Sequence, residues 1–561
     1  MTQKSESLSR WHLGALALYA ALAVLFINHG VNLSRFIAGQ GTDPYLFVWF
    51  LAWWPHALLH HLNLLYTPLV WQPLGAPVLW LTSIPLLGIL LAPLTYIAGP
   101  VVVYNLIILA APVLSATSAY FLCLRVSRNP LAAIFGGYLF GFSSYEMAQG
   151  SATLNQSLTF LLPCLVIVAL RRLSGEAGRC QTVILASVTM LAEFFISQEV
   201  FTMIAVFAGA AWLLAYWLLA SARVGLRGLL GDAVIAGSLT AIIMAPLLVE
   251  MFRHAHYLNL PAIWPYYFVA DLANFIFPTG LTWLGGHWDG LVTKHMPGIL
   301  QEQGAYIGLP VVFILLSYMR EMRHVPAAKY LLTLWLSLAV ASLGPQLWVA
   351  GIFTGVFLPW AIVMHLPLLG MALPARFILF VSLVTAIIGA FWLAQTEMQP
   401  LRWRRRALSA LACLALLPGL HPWTQIPAAK FFAPGEVQAQ LGANPRLLIL
   451  PFWRQGPSSY WQVENNFGFT QTGGYLGFPP KAMQHFNAIW EMAGNIQVPD
   501  FPANFTSFCE QTNTQYVVAG PGTSAEMLAF LADLHWPSRQ VDDVTVFTVP
   551  RTVHGLSLIH I

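Results

Sequence analysis

The sequence predicts an all-α polytopic membrane domain of about eleven transmembrane helices, followed by a small C-terminal extracytoplasmic α/β domain. Three observations predict it. Charged residues make up only 9% of the 561 residues and hydrophobic residues 58%, whereas a soluble domain carries about 25% charge. The mean hydropathy is +0.67, and the apolar residues come in runs long enough to cross a bilayer. Basic residues also divide unevenly between alternate loops, as cytoplasmic and outer loops do. So little polar surface cannot cover so much apolar mass, so lipid is the solvent for most of the chain. A soluble globular enzyme is excluded. Disordered, collagen-like and nucleic-acid-binding classes are excluded too, because no stretch is low in complexity or densely basic. The net charge of +4 names no partner.

Apolar stretches of roughly 15 to 25 residues are candidate spans. They fall at 11–27, 101–124, 130–146, 157–170, 180–196, 200–220, 232–251, 304–319, 329–345, 375–394 and 406–420. A further stretch, 80–98, is interrupted by Pro85, Gly88 and Pro93. If it does not cross, one set of loops holds sixteen basic residues, from Lys4 and Arg10 to Arg404, Arg405 and Arg406. The opposite loops hold only Arg35, Arg253, Lys294 and Arg376. Letting 80–98 cross would throw the later basic clusters outside. It therefore reads as an interfacial or re-entrant segment buried against protein. The expected topology has the N-terminus inside and the first span as an uncleaved anchor in the cytoplasmic membrane. The outer loops, 28–100, 252–303 and 346–374, are the long ones, and long loops carry binding and catalytic residues.

The membrane domain is expected over 1–420 and the extracytoplasmic domain over 421–555. In the latter, apolar runs shrink to strand length ("RLLILPF", "QYVVAG", "VTVFTV") and alternate with helix-like "PPKAMQHFNAIWEM" and "SAEMLAFLADL". Residues 556–561, "LSLIHI", match the translation of a sequencing-library adaptor and read as an assembly artefact. The five cysteines form no CxxC pair and no metal-finger spacing, so no disulfide framework is expected.

The first outer loop carries one acidic residue, Asp43, ahead of an aromatic helix with Trp49, Trp53, Trp54, His56, His60 and His61. Thr42 or Asp43 before Pro44 is the pattern of a helix start, with a side-chain cap and Pro in the first turn. A carboxylate just past the first span is also placed to act as a general base toward a lipid-borne substrate. The Trp-rich helix reads as one lying in the headgroup region. His56 and His60 have i, i+4 spacing but no third ligand. Other ionisable residues gather near outer span ends: Glu146, Glu193, Glu199, Glu250, Asp271, Asp289 and Glu302. Such carboxylates pair, line a wet cavity or act. Glu146 and Gln149 share a short outer turn. Outer positive charge is scarce, which leaves Arg376, Lys294 and His295, with Arg35, as candidates for holding a phosphate or anchoring headgroups. No Walker loop, GxSxG, HExxH or kinase set is present.

In this order of features the chain resembles bacterial polytopic proteins of the C-type (GT-C) glycosyltransferase superfamily. The resemblance rests on Asp43 after span one and on the long first loop with "YTPLVWQPLGAPVLW". It rests also on the non-crossing apolar segment before "YNLIILAAPVLSATSAYFLCLRVSRNPLAAIFGGYLFGFSSY", on "GAYIGLP" and "LPLLGMALPARF", and on a C-terminal outer domain. It implies transfer of a sugar from a polyprenyl-phosphate donor to a glycan, lipid or protein acceptor, with inversion at the anomeric carbon. Asp43 would take the acceptor's proton, and Glu146 or Gln149 would orient the acceptor. Arg376, with Lys294 or His295, would meet the charge developing on the lipid phosphate. No cofactor is implied and no metal site, since Asp43 stands alone rather than in an acidic pair. Two rivals remain open: a lipid or oligosaccharide transporter, which would need polar midplane residues on broken helices, and a non-catalytic GT-C-like partner in cell-envelope glycan assembly.

Overall fold

The computed structural model describes residues 2–257, 264–285, 293–365, 372–395, 402–496 and 498–550. Asp289 and the adaptor-like 556–561 lie outside the described residues. The chain divides into two compact units. A helical unit comprises 1–40, 105–245 and 261–424; a sheet unit comprises 41–104, 246–260 and 425–561.

Among the described residues, seven helical stretches are long and apolar enough to cross a membrane: Ser9–Asn28, Pro100–Ser127, Leu154–Leu173, Arg179–Ile196, Gln198–Leu218, Ala220–Arg253 and Pro374–Ala394. The expected spans at 130–146, 304–319, 329–345 and 406–420 are helical but short. Their helices are Pro130–Gly141, Leu309–Met322, Pro326–Ser342 and Arg402–Ala415, of 12, 14, 17 and 14 residues. At 1.5 Å per residue a straight crossing takes about 20 residues. The hydropathy runs overstated these helices because turns such as the one at Phe142–Ser143 are as apolar as the helices they end.

The helix Ile378–Ala394 is apolar on every side and buried along nearly its whole length, which makes it the centre of the helical unit. Phe380 stacks on Phe207 with ring centroids 4.6 Å apart. Pro130–Gly141 reaches its neighbours closely because it lacks side chains where they approach. A Cβ on Gly137 would lie 2.2 Å from Tyr19 Oη, and one on Gly141 2.4 Å from the Ala116 nitrogen. By contrast, Arg223–Arg253 leaves Val234, Ile242, Ile243 and Phe252 exposed, a surface suited to lipid.

In the sheet unit five strands are β1 (Arg446–Leu450), β2 (Thr470–Gln471), β3 (Tyr516–Ala519), β4 (Ser538–Val541) and β5 (Val544–Thr548). Their order is β4-β5-β3-β1-β2. β1 runs parallel to β2 and β3, with Leu447 opposite Tyr516 and Leu450 opposite Ala519; β5 and β4 are antiparallel additions. Leu447 through Leu450 are all buried, the continuous apolar run of a strand covered on both faces. Trp461 stacks on Phe432 at 4.7 Å and donates its Nε1–H to the Pro427 carbonyl at 2.6 Å.

The apolar segment 80–98 forms two short helices, Pro85–Leu90 and Ala92–Ala98, after a turn at Val78–Trp80. Gly88 sits where a Cβ would meet Trp54 at 2.3 Å. The Trp-rich helix Asp43–Leu59 is the hub of this unit rather than a helix resting in headgroups. Trp49 and Trp53 are fully buried and stack on each other at 5.2 Å. Trp49 donates to Gln462 Oε1 at 2.9 Å and Trp54 to the Ser83 carbonyl at 2.6 Å. The sequence reading counted the aromatic residues but could not see the partners that remove them from lipid.

Candidate functional site

Asp43 opens its helix, with Pro44 in the first turn, as the sequence pattern requires. Thr42 makes no side-chain cap, so the expected capping bond is absent. Instead Asp43, half-buried, accepts a hydrogen bond at Oδ1 from the Tyr475 hydroxyl. Its Oδ2 carries no hydrogen bond among the described residues. Burial first, and then the charge of Asp43, push the Tyr475 hydroxyl well above the usual phenol range. Tyr475 therefore stays a donor at physiological pH and fixes the orientation of the Asp43 side chain. The Arg454 guanidinium lies 5.9 Å from the centre of the Tyr475 ring and 5.5 Å from that of Trp453. Trp453 is fixed by donating to the Gly477 carbonyl at 2.8 Å. Ser459 Oγ donates to the Tyr475 carbonyl at 2.7 Å. The result is one carboxylate oxygen held, the other unoccupied, and an exposed cation nearby. Tyr475 and Arg454 carried no signal in the sequence, being more than 400 positions from Asp43.

In the helical unit Arg376 stands in the turn Pro374–Phe377 that begins its long helix. Its guanidinium is mostly buried and meets two carboxylates. Nε and Nη2 donate to Glu302 Oε1 at 2.9 and 2.6 Å, and Nη1 donates to Glu199 Oε2. Gln156 Nε2 adds a bond to Glu199 at 2.9 Å. Arg376 is thus not a free cation: two acidic side chains already meet it.

Glu146 and Gln149 are brought close to the same turn region but not to its surface. Glu146 is buried and accepts from Thr159 Oγ1, which in turn shares a hydrogen bond with Ser115 at 3.0 Å. Gln149 is buried too. It donates to the Gln301 carbonyl at 2.9 Å, next to Glu302, and accepts from Thr153. Lys294 and His295 are exposed in the turn Thr293–His295, and Arg35 is exposed as well. Of the remaining carboxylates, Glu250 pairs with Arg253 at 3.3 Å. Asp271 accepts from the backbone of Ala273, Ala350 and Gly351 at 2.7 to 2.8 Å, pinning the hairpin Gln346–Phe357. Glu193 is buried with neither oxygen bonded among the described residues. His56 and His60 lie with ring centroids 4.4 Å apart. Among the described residues no group of three or more His, Cys, Asp or Glu side chains gathers as a metal site would.

No family model matches the chain, and no curated protein matches it. Solved structures do. The archaeal oligosaccharyltransferase AglB from Archaeoglobus fulgidus, in complex with an inhibitory peptide and a dolichol-phosphate, is 14% identical with a TM-score of 0.50. That match covers 97% of this chain and 75% of AglB. The arabinofuranosyltransferase AftD from Mycobacteria is 12% identical with a TM-score of 0.59, over 97% of this chain and 42% of AftD. Both are named as sugar-transferring enzymes, and the likeness extends over both units of the chain. The resemblance drawn from the long first loop and the C-terminal domain therefore agrees with the architecture: the chain shares its fold with these two glycosyltransferases.

Proposed function

We propose that this protein transfers a sugar from a polyprenyl-phosphate donor to an acceptor at the outer face of a bacterial cytoplasmic membrane, with Asp43 as general base and inversion at the anomeric carbon. The observation that carries the reading is the state of Asp43. One oxygen is fixed by Tyr475 while the other has no partner among the described residues, which suits it to take a proton from an acceptor hydroxyl. The fold supports the reaction class, since AglB binds a dolichol-phosphate and a peptide in its solved complex. A lipid phosphate is a good leaving group, so no second carboxylic acid is required, unlike glycoside hydrolysis. What the departing phosphate needs is positive charge. Lys294 and His295, being exposed, fit that role directly. Arg376 fits it only by releasing Glu302 or Glu199.

The proposed topology keeps the N-terminus inside, counts about eleven crossings, and puts residues 421–555 outside. Asp43→Asn is the test. It should abolish sugar transfer in membranes, measured with radiolabelled carrier-linked sugar, while leaving expression and thermal stability unchanged. Transfer at the wild-type rate would end the assignment of the base.

A further inference from the structure

The aromatic helix that starts at Asp43 also walls a cavity of about 410 Å³ near its other end, within the range of small-molecule sites. Its side chains come from two distant stretches of the sheet unit: Trp53, His56, Asn63 and Tyr66 from the first, Asn444 and Phe467 from the second. None of its lining residues is an acid, a lysine or an arginine. Burial, then the neighbouring His60, pushes the His56 imidazole down to about 4, so at neutral pH it is an uncharged donor and acceptor. Two polar groups here have hydrogen-bonding capacity left over: neither the half-buried His56 ring nor the exposed Asn444 amide has a hydrogen-bond partner among the described residues. Phe467 stands edge-on to Trp53 at 6.0 Å and against His56 at 4.7 Å, giving the cavity an apolar aromatic wall.

Aromatic faces, side-chain amides and a neutral imidazole, with no charge, select against phosphates, carboxylates and amines. They suit a molecule with an apolar C–H face and a rim of hydroxyls, which is the surface of a pyranose ring. Asn444 also lines a second, more polar cavity of about 750 Å³, with Gln72, Arg446, Thr470, Glu510 and Gln515 on its walls.

We propose that this uncharged cavity of the sheet unit binds a neutral sugar, with the ring set against Phe467 and held by His56 and Asn444. Trp53 stands ten residues along the helix from Asp43, about 15 Å at 1.5 Å per residue, so the site is separate from the proposed base and does not depend on it.

The test uses the full-length protein in nanodiscs, which avoids sugar-headed detergents. Maltose, cellobiose, mannobiose and chitobiose are titrated by saturation-transfer-difference NMR, with inorganic phosphate as the charged control. At least one disaccharide should bind saturably, with transfer strongest at its ring C–H protons, and phosphate should not displace it. Asn444→Ala and His56→Ala, both outside the buried core, should each weaken that binding about fivefold or more, while Asp43→Asn leaves it unchanged. Saturable binding of none of the four, or unaltered binding in the Asn444→Ala/His56→Ala double variant, would overturn the site. Loss of binding in Asp43→Asn would overturn it too, because the sugar would then sit at Asp43.

Discussion

Replacing Arg376 by Gln removes the centre of the ion cluster in the helical unit. Three charge-assisted hydrogen bonds disappear, two to Glu302 and one to Glu199. The Glu302 side chain is 4% exposed and that of Glu199 35%, so the two halves differ in weight. Stripping one partner from a buried pair costs about 3–5 kcal/mol, because the remaining charge stays out of water. The more exposed Glu199 half is screened by solvent and adds about 0–1 kcal/mol. The sum is about 4 kcal/mol, which for a unit of several hundred residues lowers the melting temperature by roughly 5 °C. Thermal unfolding in detergent, read by fluorescence-detected size exclusion, measures it. Adding Glu302→Gln to Arg376→Gln should recover most of the loss, since the damage is an uncompensated charge rather than a missing contact. A single variant that melts with the wild type refutes the reasoning, as does a double variant no better than the single.

Two further outcomes are expected. Tyr475→Phe removes the hydroxyl that holds Asp43 Oδ1; hydrogen bonds to charged groups are worth about 1.5–3 kcal/mol, so kcat/KM for sugar transfer should fall roughly 10- to 150-fold, and an unchanged rate would detach Tyr475 from the site. In the sheet unit, burial and then the charge of Asp543 raise the Glu464 carboxyl from 4.5 to about 7. A carboxyl raised in the folded state leaves stability whole below about pH 4.5 and erodes it as the pH climbs through 7. Glu464→Gln should abolish that slope and stabilise the sheet unit at pH 8 by about 1–3 kcal/mol after allowance for its partial exposure. Hydrogen exchange of β1 and β3 across pH 4 to 8 reads it, and parallel slopes in the two proteins would dismiss Glu464 as the cause.

Local physics made much of the fold legible. A membrane span must bury its own backbone bonds within one run of apolar residues, so seven of the long helices stand out in the hydropathy alone. The strand-length strings became β1, β3 and β5; of the two helix-like strings, one contains most of Asn487–Gly494 and the other all of Ala525–Asp533. β2 and β4 were not legible: Thr470–Gln471 and Ser538–Val541 are short and polar, and a partner strand alone makes them strands. Asp43 was legible because a lone acid between a span and an aromatic helix is costly enough to invite a question. Arg376 was legible as a rare outer cation, but its meaning was not, since Glu199 and Glu302 are 177 and 74 residues away.

By itself the sequence determined that the chain lives in a membrane, roughly where its helices run, and that Asp43 begins a helix beyond the first of them. These follow from composition, run length and helix-start chemistry, which act over a few neighbouring residues. Only the tertiary structure decided that residues 41–104 fold with 425–550, that Tyr475 holds Asp43, and that Arg376 is spent on two acids. Each of these depends on side chains brought together across tens to hundreds of residues, where burial and charge pairing act on distance in space and leave no periodic trace along the chain.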